Sequence, residues 1–385
     1  VRDLLLRHVP KDFDIATNAH PDDVRKLFRN CRLIGRRFRL AHILFGRDII
    51  EVATFRAAHS GSAEGHVDDE SGRIMRDNIY GDLSDDAWRR DFTINALYYD
   101  FSNFSVIDIT GGMADLKAQL IRMIGEPVVR YQEDPVRMLR AVRFAAKLNF
   151  EIEAKTAAGM APCLDLLRDI ATSRLFDETL KIFHSGYALA SFELLRQYQL
   201  FGILFPETET ALRSPYGKIL LALLRAVLNS TDERIQLDKP VTPAFLFAAL
   251  LWHPLQIRAD KLQAAGLPPL AAIEKAINDV IYQQNLVTSV PRRISQVVRE
   301  IWVLQYRLTR RYGRRAFRLL EHPRFRAGYD FLLQRINAGE EDPELGQWWT
   351  EFQDSDDETR QAMVDEITAQ PRRRGRRKPA GDTGA

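Results

Sequence analysis

Along the first 125 residues, apolar and polar side chains alternate in short runs with the two-residue period of half-buried strands. These runs fall at residues 13–17, 39–45, 49–55, 105–109 and 121–124. Residues 21–29 read as a helix with Pro21 in its first turn. Residues 57–72 break the alternation with Gly, Ser, His and acids, which predicts a mobile loop. From Glu133 onward the period becomes that of amphipathic helices punctuated by Pro and Gly. Helices are expected at 135–148, 171–185, 188–198, 216–229, 243–252, 269–282, 291–312 and 324–338. The pattern predicts an α/β head with a mixed sheet, an all-α helical body and a disordered basic C-terminal tail. The expected division is 1–125 for the head, 126–205 for a helical neck, 206–355 for the body and 356–385 for the tail. No fixed-period repeat is present.

Composition narrows the setting. The chain has 385 residues, 45% of them hydrophobic, enough for several cores. Cys31 and Cys163 are its two cysteines and supply neither a disulfide framework nor zinc-ligand spacing, which suits a reducing, cytoplasmic compartment. The longest apolar run, 244–252, falls short of the ~18 residues that span a bilayer and reads as a buried helix. The net charge of +3 is unevenly spread. Residues 371–385 hold Arg372, Arg373, Arg374, Arg376, Arg377 and Lys378 against Asp382, so this tail carries +5 and the remainder −2. Pro, Gly and Arg cannot build a core there. The partner that suits such a tail is nucleic acid, bound through phosphates with steep salt dependence.

The chemistry starts at Asp12 and Asp14. Alternation puts both on one face of the first strand, and Glu51 sits in a later strand-like run. An Asp-x-Asp pair alone is common in solvated turns. If Glu51 pairs nearby, however, three carboxylates converge and repel one another unless divalent metal joins them. Two Mg²⁺ ions about 3.5–4 Å apart are a standard device for phosphoryl transfer.

Four further blocks surround that pair: Val1-Arg2-Asp3; Arg89-Arg90-Asp91-Phe92-Thr93-Ile94-Asn95; Asp108-Ile109-Thr110-Gly111-Gly112-Met113-Ala114-Asp115; and Glu133-Asp134-Pro135-Val136-Arg137-Met138-Leu139-Arg140. In this order, over about residues 1–180, they resemble bacterial class II nucleotidyltransferases, the group of poly(A) polymerases and CCA-adding enzymes. In that family two glycines precede the Val-Arg-Asp, so the chain, which opens at Val1, reads as lacking its natural start. The resemblance implies that Asp12, Asp14 and Glu51 hold two Mg²⁺ ions, with ATP as substrate. It also implies that Asp91 is critical, with orientation of Arg90 or Asn95 as its plainer role. Arg2, Arg90, Asn95 and Arg140 become candidate nucleotide ligands. Gly111 and Gly112 read as part of a turn that places the next helix, and Arg174 and Glu178 as a brace for the base-reading helix.

Base reading falls by resemblance to Asp134 and Arg137, expected on one helix with Glu133 and Arg140. A carboxylate and a guanidinium match the donor and acceptor on the edge of adenine or cytosine and reject uracil and guanine. The pair explains "A or C" without choosing. Three features favour the poly(A) polymerase branch. Residues 33–40 resemble a stretch that marks it. Arg310, Arg311, Arg314 and Arg315, within a basic surface at 307–335, interleave with Phe317, Phe325 and Tyr329, which suits single-stranded RNA. The Arg-rich tail suits sequence-indifferent RNA contact. The expected activity is therefore template-independent addition of AMP from ATP to RNA 3′ ends. The alternatives are a CCA-adding tRNA nucleotidyltransferase and, more distantly, a non-catalytic RNA-binding protein.

Overall fold

The structure is a computed structural model that describes residues 1–10, 13–35, 39–57, 66–68, 74–77 and 80–369. The chain folds as two compact units, Val1–Ile170 and Ala171–Ala385.

In the first unit a short helix, α1 (Arg2–Leu5), precedes β1 (Asp14–Thr17), α2 (Pro21–Leu27), β2 (Cys31–Ile34), β3 (Leu40–Phe45) and β4 (Asp48–Thr54). These strands form a mixed sheet in the order β1-β4-β3-β2. β1 runs parallel to β4, and the other two pairings are antiparallel. Alternation sends Val52, Ala41, Ile43 and Cys31 to one face, where they bury against Val24 of α2. The opposite face carries Asp14, Glu51, His42 and Arg32 in one row across all four strands, because each is the register partner of the next.

Two short strands, β5 (His66–Asp68) and β6 (Ile74–Asp77), pair antiparallel inside and beside the segment expected to be a loop. That expectation is corrected to this extent. A three-residue strand is too short for its period to register in the sequence. Then follow α3 (Leu83–Arg89), a single 3₁₀ turn at Thr93–Asn95, the hairpin β7 (Leu97–Asp100) and β8 (Ser105–Asp108), and α4 (Gly112–Ala118). β9 (Leu120–Ile121) pairs in parallel with β10 (Glu151–Ile152), bracketing α5 (Pro127–Glu133) and α6 (Val136–Leu148); α7 (Ala154–Ala158) and a 3₁₀ stretch at Ala161–Asp169 close the unit.

The second unit is helical throughout its described residues: α8 (Thr172–Phe183), α9 (Ala188–Gln197), α10 (Phe201–Leu204), α11 (Pro206–Leu212), α12 (Gly217–Gln236), α13 (Pro243–Leu250), α14 (Trp252–Ala264), α15 (Pro269–Asn285), α16 (Arg292–Leu308), α17 (Arg314–Leu320), α18 (Phe325–Asn337), α19 (Pro343–Asp354) and α20 (Asp357–Ala369). Phe325, Tyr329, Trp349 and Phe352 share a buried cluster with Leu304, Leu308 and Val364. Trp349 donates its indole N–H to the Leu308 carbonyl at 2.9 Å, capping the end of α16. α20 occupies the first half of the segment expected as disordered tail. Val364 is 1% exposed, so an apolar anchor ties it to the core. Residues 370–385, with all the tail arginines, lie outside the described residues. No described helix is long and apolar enough to cross a membrane.

Candidate active site

Asp14 and Glu51 are register partners on adjacent parallel strands, so their side chains leave the same face of the sheet side by side. Both are solvent-accessible. Glu51 accepts from His42 Nε2 at 3.0 Å. Asp12 lies outside the described residues. Among the described residues no three His, Cys, Asp or Glu are gathered as a metal site. The observed part of the expected triad is therefore the Asp14–Glu51 pair.

A second constellation forms where the 91–95 segment meets α6. Phe92 enters as a buried bridge partner of Met123, which fixes Asp91 beneath α6. Asp91 Oδ1 accepts from the Phe92 amide at 2.8 Å and from Asn95 Nδ2 at 2.9 Å, while Oδ2 accepts from Arg140 Nε at 2.8 Å. Burial opposes ionisation of this carboxyl, but the Arg140 guanidinium and these hydrogen bonds outweigh it and hold Asp91 below the usual carboxylate range. Asn95 then accepts from Arg2 through its amide oxygen. Arg2 also holds Asp3, whose other oxygen meets Lys147 Nζ at 3.3 Å. Arg2, Asn95, Asp91 and Arg140 thus form one continuous chain. Asp91 accepts from Asn95, one of the two partners its plainer role named, and its other oxygen accepts from Arg140.

Arg90 takes a different partner set. It pairs with Asp86 at 3.0 Å, donates to the Tyr98 hydroxyl at 3.0 Å and stacks over the Tyr98 ring. Its Nη1 also donates to the Asn95 carbonyl at 3.2 Å, so Arg90 ties α3 and β7 to the 91–95 segment.

On α6, residues 137, 140, 144 and 147 recur at helical spacing and share one face. Phe144 sits in its middle with the guanidiniums of Arg2, Arg143 and Arg140 at 4.9, 5.1 and 5.4 Å from its ring centroid. The other faces bury Met138, Leu139, Val142 and Ala145. One expectation changes here. Glu133 ends α5, Asp134 is its extended cap (φ −150°, ψ 94°), and α6 starts only at Val136. Pro135 explains the break, since proline disfavours helical backbone in the residue before it. Glu133 and Asp134 therefore share no helix with Arg137 and Arg140. The turn still brings them together: Asp134 Oδ1 accepts from the Val136 amide at 3.2 Å, and Arg137 Nη1 donates to Glu133 at 2.8 Å and to the Arg130 carbonyl at 2.6 Å. Among the described residues these Arg137 contacts all use Nη1.

The glycine turn at 111–112 is architectural, as expected. Asp108 accepts from the amides of Gly111, Gly112 and Met113 at 2.8–2.9 Å and so caps α4. Gly111 takes φ +85°, which glycine adopts without strain. Asp115 of α4 accepts from Thr93 Oγ1 at 2.6 Å, fastening α4 to the 91–95 segment.

In the second unit, Glu178 is buried and pairs with Lys181 at 2.8 Å. Arg310, Arg311, Arg314 and Arg315 gather where α16 gives way to α17, since the helix expected to run to 312 stops at Leu308. The stacking groups expected beside them are corrected: Phe325 and Tyr329 are buried core residues, and Phe317 is partly buried against that core. The rings that lie against Arg310 and Arg315 are those of Tyr306 and Tyr312. Arg310 lies 4.2 Å from the Tyr306 ring and Arg315 lies 4.7 Å from the Tyr312 ring. Arg311 packs over Trp348. Arg335 leaves the expected basic surface altogether. It is 5% exposed and pairs with Glu340 and Glu341. Arg36, Arg37, Phe38 and the tail arginines lie outside the described residues. Sequence reasoning also missed His42, Phe144 and Lys147. Strand alternation from Glu51 through a hairpin would have found the first, and helical spacing from Arg140 the other two.

Three family models match the chain: a Poly A polymerase head domain over residues 1–122, a probable RNA and SrmB binding site of polymerase A over 149–212, and a polymerase A arginine-rich C-terminus over 265–380. A poly(A) polymerase I of Salmonella typhimurium is 48% identical over 383 residues, covering 98% of this chain and 82% of that one. The Haemophilus influenzae protein of the same name is 46% identical over 371 residues, covering 95% of this chain and 82% of that one. A CCA-adding enzyme of Lactobacillus helveticus is 37% identical over 201 residues, covering 52% of this chain and 48% of its own length. In fold the chain is similar to a solved tRNA-processing enzyme at TM-score 0.61 and 22% identity, covering 96% of this chain and 94% of that one.

Proposed function

The chain belongs to the poly(A) polymerase family, and from that premise we propose that it adds AMP residues from ATP to RNA 3′ ends without a template. The observation that carries the chemistry is the side-by-side placement of Asp14 and Glu51 on one sheet face. Their all-oxygen donor set suits a hard divalent cation such as Mg²⁺. Asp14 and Glu51, with Asp12 of the same sequence motif, are the residues that would hold it. When bound, two such ions stabilise charge on the transferring phosphate and ease ionisation of the acceptor hydroxyl.

The remaining roles belong to side chains. The Arg2–Asn95–Asp91–Arg140 chain presents two guanidiniums in a fixed arrangement, with Asp91 holding the geometry so that little reorganisation accompanies nucleotide binding. Arg137, with Asp134 beside it, offers its guanidinium to the base edge, which selects adenine or cytosine over guanine and uracil. Tyr306 and Tyr312, each paired with an arginine, offer stacking surfaces and phosphate contacts to single-stranded RNA. Within this reading residues 1–125 hold the chemistry, 126–205 recognise the nucleotide and 206–355 contact RNA. Substrates such as ATP and RNA suit a cytoplasmic reaction.

Polyadenylation is favoured over CCA addition because the sequence likeness to poly(A) polymerases runs the length of the chain, whereas in sequence the CCA-adding enzyme matches about half of it. The test is incubation with labelled oligoadenylate, Mg²⁺ and each NTP in turn, with trimmed tRNA as a second acceptor. Long A tails on oligoadenylate from ATP alone are expected. Asp14→Asn should remove nearly all addition and Glu51→Gln most of it. Repair of tRNA that stops after CCA would overturn the reading.

A further inference from the structure

The polar row on the sheet contains two members the proposed chemistry does not use, Arg32 and His42, and His42 is the one hydrogen-bonded to Glu51. It lies on β3 opposite Glu51 on β4, and Glu51 in turn lies opposite Asp14 on β1. Its neighbours in β3, Ala41 and Ile43, point the other way and are buried under α2. On its own face, positions 40 and 44 are leucines, so His42 is the polar interruption of an otherwise apolar strand face. Its Nε2 lies 3.0 Å from Glu51 Oε1. A carboxylate can only accept, so Nε2 carries the proton and donates. The His42 side chain is 18% exposed and that of Glu51 45% exposed. The imidazole is therefore seated in the sheet, while the carboxylate it grips reaches outward.

We propose that His42 is a positioning residue that fixes the Glu51 carboxylate for its cation. The inference rests on the reading of Glu51 as a metal ligand and adds to it. A glutamate side chain has three rotatable bonds and loses that freedom when it coordinates an ion. A hydrogen bond from a packed neighbour to Oε1 removes part of that freedom in advance and leaves Oε2 to face the ion. Partners of this kind behind metal-ligating groups typically contribute about 10–100-fold in affinity or activity. His42 is not itself the metal's ligand in this geometry: its Nε2 is spent on Glu51, and Mg²⁺ prefers oxygen. A purely structural cross-strand pair makes a different prediction, because its loss would lower stability without reference to metal.

The test uses His42→Ala, His42→Gln and Glu51→Gln in the full chain, alone and combined. Gln carries an amide N–H near the position of Nε2. Two readouts are needed: Mn²⁺ binding measured by electron paramagnetic resonance without nucleotide, and kcat with KM for ATP. His42→Ala should weaken Mn²⁺ binding and lower kcat, each about 10-fold or more, with KM for ATP little changed. His42→Gln should recover a substantial part of both. In the Glu51→Gln background, His42→Ala should add almost nothing, because the two act as one unit. An unchanged Mn²⁺ affinity in His42→Ala would overturn the proposal, as would equal loss in the Gln variant or full additivity with Glu51→Gln. Wild-type rates in Glu51→Gln itself would instead overturn the metal reading beneath it.

Discussion

At the scale of single residues, Asp91 joins its own segment to Asn95 and to α6. Its two oxygens serve the Phe92 amide, Asn95 and Arg140, and its side chain is 11% exposed. Asp91→Asn removes the charge that holds Arg140. The expected loss is about 2 kcal/mol, less than for a fully buried pair because a third of the Arg140 side chain meets water. The pH dependence has a definite sign. The folded-state pKa lies below the unfolded value of about 3.9, so the contribution is complete above that pH. It fades as pH falls through the folded value. The stability gap between wild type and Asp91→Asn, measured by urea unfolding, should be constant from pH 6 to 8 and shrink below about pH 4. A gap that widened in acid would mean Asp91 is not the ionised partner. Arg137→Ala belongs to the same scale. It should slow ATP addition and relax discrimination among the four NTPs; equal loss with every NTP would assign Arg137 to phosphate or structure.

At the scale of elements, the 91–95 segment is held from both sides by α4 and α6. Gly112, at the start of α4, packs directly on the Thr93 backbone. A Cβ there would stand 2.3 Å from the Thr93 carbonyl oxygen. Backbone cannot yield as a flexible side-chain tip would. Gly112→Ala should therefore cost about 1–3 kcal/mol in thermal or denaturant unfolding and lower activity through displacement of Asp91 and Asn95. A wild-type melting temperature would show that α4 is not clamped to that segment. The break between α5 and α6 is the other decisive element. Pro135 ends one helix and lets Asp134 turn away from it, so Glu133, Asp134 and Arg137 meet at a corner instead of along a stripe.

At the scale of the whole molecule, the proposed RNA contact draws on arginines that no ion pair neutralises among the described residues. Arg324, Arg326 and Arg335 are paired with Glu300, Asp330 and Glu340, whereas Arg310 and Arg315 lie against tyrosines. Replacing Arg310, Arg314 and Arg315 by Ala should weaken single-stranded RNA binding. The slope of log K against log salt should fall by about 0.7 for each phosphate that is no longer neutralised. ATP binding should not change. Removing residues 370–385 should act in the same direction. An unchanged slope in both variants would leave these arginines as a solvated surface.

The sequence by itself determined the mixed head followed by a helical body and the residue types of the candidate site, while β2, β7 and α3, among other elements, were not expected from it. Those properties follow from local periodicity and from motifs whose spacing survives without coordinates. Strand alternation fixed the face of Asp14, whereas its place beside Glu51 came from the parallel pairing of β1 with β4. What the sequence left open depended on long-range packing. The partner of Asp91 had to be found across 49 residues, at Arg140. His42 acquired meaning only through the register of β3 on β4. Phe325 and Tyr329 looked like stacking groups in a basic run, yet the tertiary core claimed them, because burying aromatic area outweighs leaving it in water for a ligand. α20 was hidden for a related reason. Its mixed composition reads as tail until Val364 is seen against the cluster around Trp349, and only packing decides which amphipathic segments become helices.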